Sequence, residues 1–185
     1  MPLHLGLILP NYGEGLEAER LAACAVAAEE SGFDSGWVTD HLLVPDEHAA
    51  IYGSIAEALV SLGFLAGRTQ RLGLGVSALI VPARDPLVAL KQLTTLDALS
   101  GGRVVTAVAA GWMEGEFRTL GAPFEQRGRL LDLALLAVHL ELDHQPPSLS
   151  ASQSAAGGSA SHRLHDAPLR GRRDHPLKRE PRPVK

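Results

Sequence analysis

Cysteine, aromatic residues and long apolar runs are all scarce in this sequence, and each scarcity excludes a class of protein. Cys24 is the single cysteine among 185 residues, so neither an intrachain disulfide nor a metal site of several thiolates can form. We place Cys24 on the apolar face of a helix, and a single cysteine agrees with the expectation of a cytoplasmic protein. Aromatic residues make up 4% of the chain, so leucine, alanine and valine must fill the core.

The composition gives little reason to expect a membrane, nucleic acid or a metal ion as a partner. No uninterrupted apolar stretch reaches the ~20 residues that a membrane-spanning helix needs, and the first residues lack the basic segment of a signal peptide. The net charge of −4 gives no reason to expect nucleic acid or an anionic membrane as a partner. The eight histidines show no metal-ligand spacing, so we predict no metal site. With 45% apolar residues, the chain has the composition of a globular domain.

The composition changes at about residue 142. Residues 143–185 hold eight of the 17 Lys and Arg but four of the 21 Asp and Glu, a balance of +4 against −8 for residues 1–142. Such a segment, rich in Ser, Gly and Pro, buries too little apolar area to offset its ordering entropy, so we predict a disordered tail. A solvated extension without a role is preferred to a basic arm for an acidic partner. A change of reading frame near residues 139–145 is a third explanation.

Residues 1–142 alternate between short apolar runs, typical of buried strands, and longer runs typical of amphipathic helices. Gly32 is placed to end the first helix, Ser54 to cap the second, and Asp85 to cap the third. Four βα units in a row indicate an α/β fold with a parallel sheet, and the periodicity leaves open a barrel or a doubly wound sheet. The predicted strands are 3–10, 35–39, 71–76 and 103–109, and the predicted helices are 16–31, 54–67, 85–99 and 124–142.

Short fragments with a fixed order and spacing run through these units. They are LILPNYG from Leu7, ESGFDS from Glu30, WVTDH from Trp37, RLGLG from Arg71, DP from Asp85, KQLTTLD from Lys91, SGGR from Ser100, GW from Gly111, EF from Glu116 and RGR from Arg127. No fragment is specific by itself. Together, over about residues 3–138, they resemble the luciferase-like monooxygenase superfamily, and they are most similar to its branch of coenzyme F-420-dependent oxidoreductases.

The resemblance implies a TIM-type (β/α)₈ barrel, of which residues 1–142 supply the first four βα units, with the cofactor at the carboxyl ends of the strands. It implies hydride transfer between a small organic substrate and a deazaflavin, coenzyme F-420. An FMN-dependent monooxygenase is the alternative. Since a complete barrel needs about 250 residues, an inactive truncated fragment, or a half barrel that pairs as a homodimer, is a third interpretation.

Three polar residues after the first two strands are candidates for the site. A histidine beside a carboxylate can exchange protons near neutral pH, and the resemblance gives His41, with neighbouring Asp40, the catalytic acid/base role. The structural alternative is that Asp40 caps a turn and His41 makes a local hydrogen bond. Asn11 is expected to hydrogen-bond the cofactor ring or the substrate, or else to satisfy a turn.

Small residues after the third and fourth strands complete the predicted cofactor site. Ser77 and Ala78 match a bulge of the family, often with a non-prolyl cis peptide bond, that packs under the flavin or deazaflavin ring. Ala110 and Gly111 let a flat ring approach the backbone closely, and Trp112 is placed to wall the pocket or to pack in the core.

Two nearby segments are interpreted structurally. Glu114 and Glu116 are predicted to be a solvated helix start. Residues 100–103 look like a phosphate loop, but they precede a strand, so we predict that they end a helix.

Overall fold

A computed structural model describes residues 3–14 and 16–144 of the chain, with side chains up to residue 137. The predicted tail lies outside the described residues except for its first two positions, which belong to a helix. The boundary at residue 142 and the disorder beyond it therefore stay predictions. Within the described residues, no helix is both long and apolar enough to span a membrane.

Strands and helices alternate along the described residues. Their order is β1 (Gly6–Ile8), β2 (Tyr12–Gly13), α1 (Ala18–Glu30), β3 (Ser35–Val38), α2 (Asp46–Tyr52), β4 (Ser54–Ile55), α3 (Ala58–Ala66), β5 (Gly73–Ile80), α4 (Pro86–Ser100), β6 (Val104–Ala109), α5 (Glu114–Leu120) and α6 (Arg127–His144). Short 3₁₀ turns at Val81–Ala83 and Phe124–Gln126 precede α4 and α6.

The main sheet contains β1, β3, β5 and β6, adjacent in that order and all parallel. The predicted α/β class with a parallel sheet is therefore confirmed. Along the chain, each new strand of this sheet lies beside the preceding one, always in the same direction across the sheet. A doubly wound sheet instead reverses its strand order at a switch point. Since parallel crossovers are right-handed, a constant direction of winding places the connecting helices on one face.

The hydrophobic core lies between this sheet and its helices. Leu9, Leu74 and Val76 are fully buried on the sheet side, and Leu62 and Leu65 of α3 are fully buried against them. The few aromatic residues contribute little here, as the composition predicted. Cys24 packs half-buried against the same core, in agreement with its predicted place.

The opposite face of the sheet is formed by Ile8, Trp37, Gly75 and Val105, which are paired in register across the four strands. We call this row the inner face. Ile8 is 70% exposed and Val105 is 47% exposed. The inner face is therefore less well covered than the opposite face of the sheet, which packs against the helices. The Trp37 indole lies against Gly75, where an added Cβ would sit 2.3 Å from the ring.

Most predicted helix ends are confirmed by their capping geometry. Asp85 accepts hydrogen bonds from the amides of Leu87 (2.8 Å) and Val88 (3.0 Å) at the start of α4. Gly101 ends the same helix with a left-handed φ of 76°, so residues 100–103 are a helix stop as predicted. Gly32, with a φ of 84°, follows the end of α1.

The predicted cap at Ser54 is wrong. Ser54 belongs to β4 and pairs with Gly13 of β2 in a small antiparallel sheet. The second large helix, α3, begins four residues later, where the Glu57 carboxylate accepts a hydrogen bond of 2.7 Å from the Val60 amide. The short elements β2, β4 and α2 were not predicted from the sequence. The pairing of β2 with β4 is set by a tertiary contact rather than by local periodicity.

Substitution of the buried glycine Gly36 is expected to destabilise the fold. An added Cβ would lie 2.8 Å from Leu9 Cδ1 and 3.1 Å from Leu72 Cδ2, and both leucines are buried and unable to move freely. We expect Gly36→Ala to lower the free energy of unfolding by about 1–3 kcal/mol in chemical denaturation. Gly63→Ala is the matched control, because Gly63 lies exposed in α3 with open space around its Cα. It should raise stability by about 0.5–1 kcal/mol. Equal effects of the two substitutions would contradict this packing.

Candidate active site

A cavity of about 440 Å³ lies at the carboxyl ends of β3, β5 and β6. Seven of the eight predicted site residues line it, the exception being Asn11. Thr39, Tyr52, Ile80 and Ala109 complete the lining. A second hollow of about 240 Å³ on the inner face shares Thr39 and Ser77 with this cavity. The volume of the main cavity is in the range of about 300–1,000 Å³ that is usual for small-molecule sites.

His41 is held in the cavity wall by a buried carboxylate. Its Nδ1 lies 2.8 Å from Oε2 of Glu116, and the two side chains are 4% and 0% exposed. The other carboxylate oxygen, Oε1, accepts hydrogen bonds from the amides of Leu42 (2.6 Å) and Leu43 (3.2 Å). Since Nδ1 is occupied, Nε2 is the ring nitrogen of His41 that a molecule in the cavity can reach.

The environment of Glu116 favours its ionised form. Burial by itself raises the pKa of this carboxyl group, because desolvation penalises the charge. The hydrogen bond from His41, the two amide hydrogen bonds and, when the ring is protonated, the charge of His41 act in the opposite direction and leave the pKa below its ordinary value. Glu116 is therefore a buried anion, and both of its carboxylate oxygens have hydrogen-bond partners within the protein.

The prediction that Glu116 is solvated is wrong, because its carboxylate is fully buried. The helix start itself is correct, since α5 begins at Glu114, whose side chain is 61% exposed. The sequence analysis missed the role of Glu116 because its partner is 75 residues away along the chain. The one local signal is that Glu116 precedes Phe117, which is also fully buried.

Asp40 was predicted to act with His41, but its carboxylate is engaged elsewhere. Both of its oxygens lie 2.8 Å from Nη2 of Arg84, and Oδ2 also accepts a hydrogen bond of 2.8 Å from the Ile80 amide. The Asp40 side chain is 0% exposed and that of Arg84 is 10% exposed. Asp40 therefore joins the end of β3 to the end of β5, and Glu116 is the carboxylate beside His41.

Asn11 was predicted to contact the cofactor or the substrate, and its amide instead binds the main chain. The Nδ2 group donates to the carbonyls of Thr39 (2.7 Å) and Ala56 (3.2 Å), while Oδ1 accepts from the Thr39 amide (2.9 Å). Because Asn11 is 0% exposed and does not line the cavity, it positions the end of β3.

The small residues of the predicted cofactor site line one side of the cavity. The Ser77–Ala78 peptide bond is cis, and the pairing of β5 with β6 changes register between Val76 and Leu79, where the resemblance placed a bulge. After β6, the carbonyl of Gly111 accepts a hydrogen bond of 3.1 Å from Nε of Arg127.

Aromatic rings form a cluster at the mouth of the cavity. The rings of Tyr52 and Trp112 lie 5.2 and 6.0 Å from the His41 ring, measured between centroids. Trp112 also contacts His48 at 5.0 Å, and Tyr12 lies 5.6 Å from Tyr52. Trp112 is 52% exposed and lines the cavity. This agrees better with the predicted place in the pocket wall than with the alternative place in the core. The sequence analysis missed the other three residues, since α2 and β2 were not predicted.

Across residues 3–14 and 16–137, whose side chains the structure describes, no group of three or more His, Cys, Asp or Glu side chains is arranged to hold a metal ion. Of the acidic and histidine side chains of the site, His41 is paired with Glu116, and Asp40 is paired with Arg84.

The chain matches the family model described as luciferase-like monooxygenase over residues 5–176. The match begins within the region where the sequence fragments were found and extends into residues 143–176, beyond the predicted domain boundary.

Two curated relatives differ in the reaction that their names state. The alkanal monooxygenase alpha chain of Photorhabdus laumondii is 28% identical over 60% of this chain and 30% of its own length. The F420-dependent glucose-6-phosphate dehydrogenase of Kineococcus radiotolerans is 33% identical over 95% of this chain and 49% of its own length. The chain therefore spans between about a third and a half of the curated relatives it matches.

A solved structure supports the fold. The oxygenating constituent of 3,6-diketocamphane monooxygenase from Pseudomonas putida, in complex with FMN, aligns with a TM-score of 0.66 at 19% identity. The alignment covers 79% of this chain and 41% of that structure. At this identity the likeness shows a shared fold.

Removal of the Asp40 charge is expected to cost stability. Asp40→Asn leaves the buried Arg84 guanidinium with only the more distant Glu57 carboxylate, at 3.4 Å. Breaking a buried ion pair typically costs about 3–5 kcal/mol in the free energy of unfolding, measured by denaturant titration. The control Asp132→Asn, at an exposed position of α6, should change stability by less than ~0.5 kcal/mol. An Asp40→Asn protein of unchanged stability would contradict the structural role of Asp40.

Glu116 is expected to make stability depend on pH in the acid range. A carboxyl group whose pKa is lowered by folding stabilises the folded state above its ordinary value of 4.5, and this contribution disappears as the pH falls through the lowered pKa. Glu116→Gln should therefore reduce the free energy of unfolding at neutral pH, by about 1–3 kcal/mol. The difference from wild type should shrink as the pH falls below 4.5. Glu114→Gln, in the same helix, is the control, and a difference that does not vary with pH would count against the lowered pKa.

Proposed function

The chain belongs to the luciferase-like monooxygenase family, and we propose that it forms the N-terminal half of a TIM-type barrel oxidoreductase that acts on a small organic substrate. The observation that carries the proposal is His41, buried at the cavity, with Nδ1 bound to Glu116 and Nε2 left for a ligand. The four parallel strands in sequential order and the incompletely covered inner face support the half barrel.

The cavity has features that suit a flat flavin or deazaflavin ring. Ser77, Ala78, Ala110 and Gly111 have small side chains or none, so a planar ring can lie close to the backbone on that side. The Trp112 indole stands at the mouth, where it would limit access of water to the ring. Asn11 supports the site indirectly, through its hydrogen bonds to Thr39.

A bound flavin or deazaflavin would supply the redox chemistry, while the protein orients the reactants and moves a proton. His41 is the group proposed to exchange that proton with the substrate through Nε2. The Tyr52 ring, 5.2 Å from the His41 ring, lies where it can orient a substrate oxygen. We propose Glu116 rather than Asp40 as the carboxylate that supports His41, because the Asp40 carboxylate is bound by Arg84.

We propose coenzyme F-420 as the cofactor and hydride transfer as the reaction. The relative with the longest alignment among those described above, over 95% of this chain, is named for dependence on F420. An FMN-dependent monooxygenase is the second candidate. It is supported by the match to an alkanal monooxygenase and by the shared fold of a monooxygenase in complex with FMN.

A third candidate is a fragment without activity, or a half barrel that pairs with a second copy. The exposure of Ile8 and Val105 on the inner face favours it, since apolar side chains there would be covered in a closed barrel. A twofold pair of such halves would bury both inner faces and both open edges of the sheet at once. The partner in this reading is a second copy of the same chain.

Cofactor binding can be followed through Trp112. The chain has two tryptophans, so Trp37→Phe leaves Trp112 as the single fluorophore, at the cavity mouth. We expect saturable quenching of its emission on titration with coenzyme F-420, and weaker or no quenching with FMN. Stronger quenching with FMN would support the monooxygenase instead, and no quenching with either would contradict a cofactor site in this chain. Gel filtration of the same samples distinguishes a monomer from a pair.

His41→Asn should separate cofactor binding from turnover. The asparagine amide nitrogen can take the place of Nδ1 and donate to Glu116, while the proton-accepting Nε2 is lost. We expect quenching by coenzyme F-420 to be retained and the rate of substrate turnover to fall by about 10²–10⁴-fold. Turnover at the wild-type rate would remove His41 from the proposed chemistry. Loss of quenching would show that His41 is needed to bind the cofactor, which would contradict a role limited to proton exchange.

A further inference from the structure

The orientation of the Glu116 carboxylate is set by two main-chain donors. The amides of Leu42 and Leu43 both donate to Oε1, at 2.6 and 3.2 Å, and both hydrogen bonds are partly buried although Leu43 itself is 41% exposed. Oε1 is therefore committed to these amides. Oε2 is the oxygen that remains for His41, at 2.8 Å from Nδ1.

An ionised carboxylate has no proton to donate, so the hydrogen bond between Glu116 and His41 requires a proton on Nδ1. A neutral imidazole carries one proton, and its other nitrogen is then an acceptor. We infer that Glu116 is a positioning residue that places the single proton of neutral His41 on Nδ1 and presents an unprotonated Nε2 to the cavity.

This arrangement makes His41 a base toward its ligand. In the transfer, the O–H bond of a ligand hydroxyl breaks and a bond forms between that proton and Nε2, while the electron pair stays on the ligand oxygen as an alkoxide. The resulting imidazolium is stabilised by the Glu116 carboxylate beside Nδ1. The inference rests on the proposed function and narrows its substrate class to compounds that carry a hydroxyl, or another group with a proton to give, at the reacting position.

Replacing Glu116 by glutamine should reverse the tautomer. A glutamine side chain has one acceptor oxygen and one NH₂ group, and the Leu42 and Leu43 amides still require the oxygen. The NH₂ group must then face Nδ1, which becomes the acceptor. The proton of the neutral ring moves to Nε2, and the cavity meets a donor instead of a base.

The tautomer can be read directly by nuclear magnetic resonance of the ¹⁵N-labelled full chain, without cofactor. Long-range ¹H–¹⁵N correlations distinguish a protonated from an unprotonated ring nitrogen, and the His41 signals are assigned as those missing in His41→Asn. Spectra of wild type, Glu116→Gln and the control Glu114→Gln are compared at alkaline pH. Glu114 is an exposed residue of the same helix, paired with Arg118 at 3.3 Å.

We expect the proton on Nδ1 in wild type and in Glu114→Gln, and on Nε2 in Glu116→Gln. A wild-type ring protonated on Nε2 overturns the inference, and so does a Glu116→Gln ring that keeps its proton on Nδ1. If Glu116→Gln does not fold, the wild-type spectrum alone decides. A loss of packing without a change of tautomer would mark Glu116 as merely structural. Because no cofactor is present, this outcome is independent of the titrations that test the proposed function.

Discussion

Three consecutive residues at the end of β3 join the carboxyl ends of all four parallel strands, and the site depends on these contacts. The main chain of Thr39 is bound by Asn11 after β1, at 2.7 and 2.9 Å. Asp40 is bound by Arg84 and by the Ile80 amide at the end of β5. His41 is bound by Glu116, in the helix that follows β6. The side chains of Asn11, Asp40 and Glu116 are fully buried, so each contact is made away from water.

Burial explains why these contacts can hold a catalytic geometry. A charged or polar group without a partner costs far more inside a protein than at its surface, so alternative arrangements of Asp40 or Glu116 are strongly disfavoured. The amide hydrogen bonds of Leu42 and Leu43 hold the Glu116 carboxylate, and this carboxylate in turn limits the rotation of the His41 ring. These contacts, all within the described residues, thus hold the proposed site together.

The described residues leave the inner face of the sheet incompletely covered. The helix side buries a continuous core of leucine, valine and alanine, whereas Ile8 and Val105 remain largely exposed on the other side. Both curated relatives described above are about twice as long as this chain, by the lengths and coverages of their alignments. In the proposed barrel the missing strands, or those of a second copy, would cover this face and close the cavity.

The sequence by itself determined the α/β class, the four βα units and the family, because apolar periodicity, caps such as Asp85 and the order of short fragments are local properties. It also located the cavity, since the carboxyl ends of parallel strands meet at one edge and seven of the eight predicted residues line it. Only the tertiary structure decided which polar groups pair. Asp40 and Glu116 are both acidic residues near strand ends, and the choice between them as the partner of His41 depends on how β3, β5 and α5 pack in space. The prediction that Ser54 caps a helix was wrong for the same reason, because its pairing with Gly13 is a tertiary contact that local sequence patterns do not indicate.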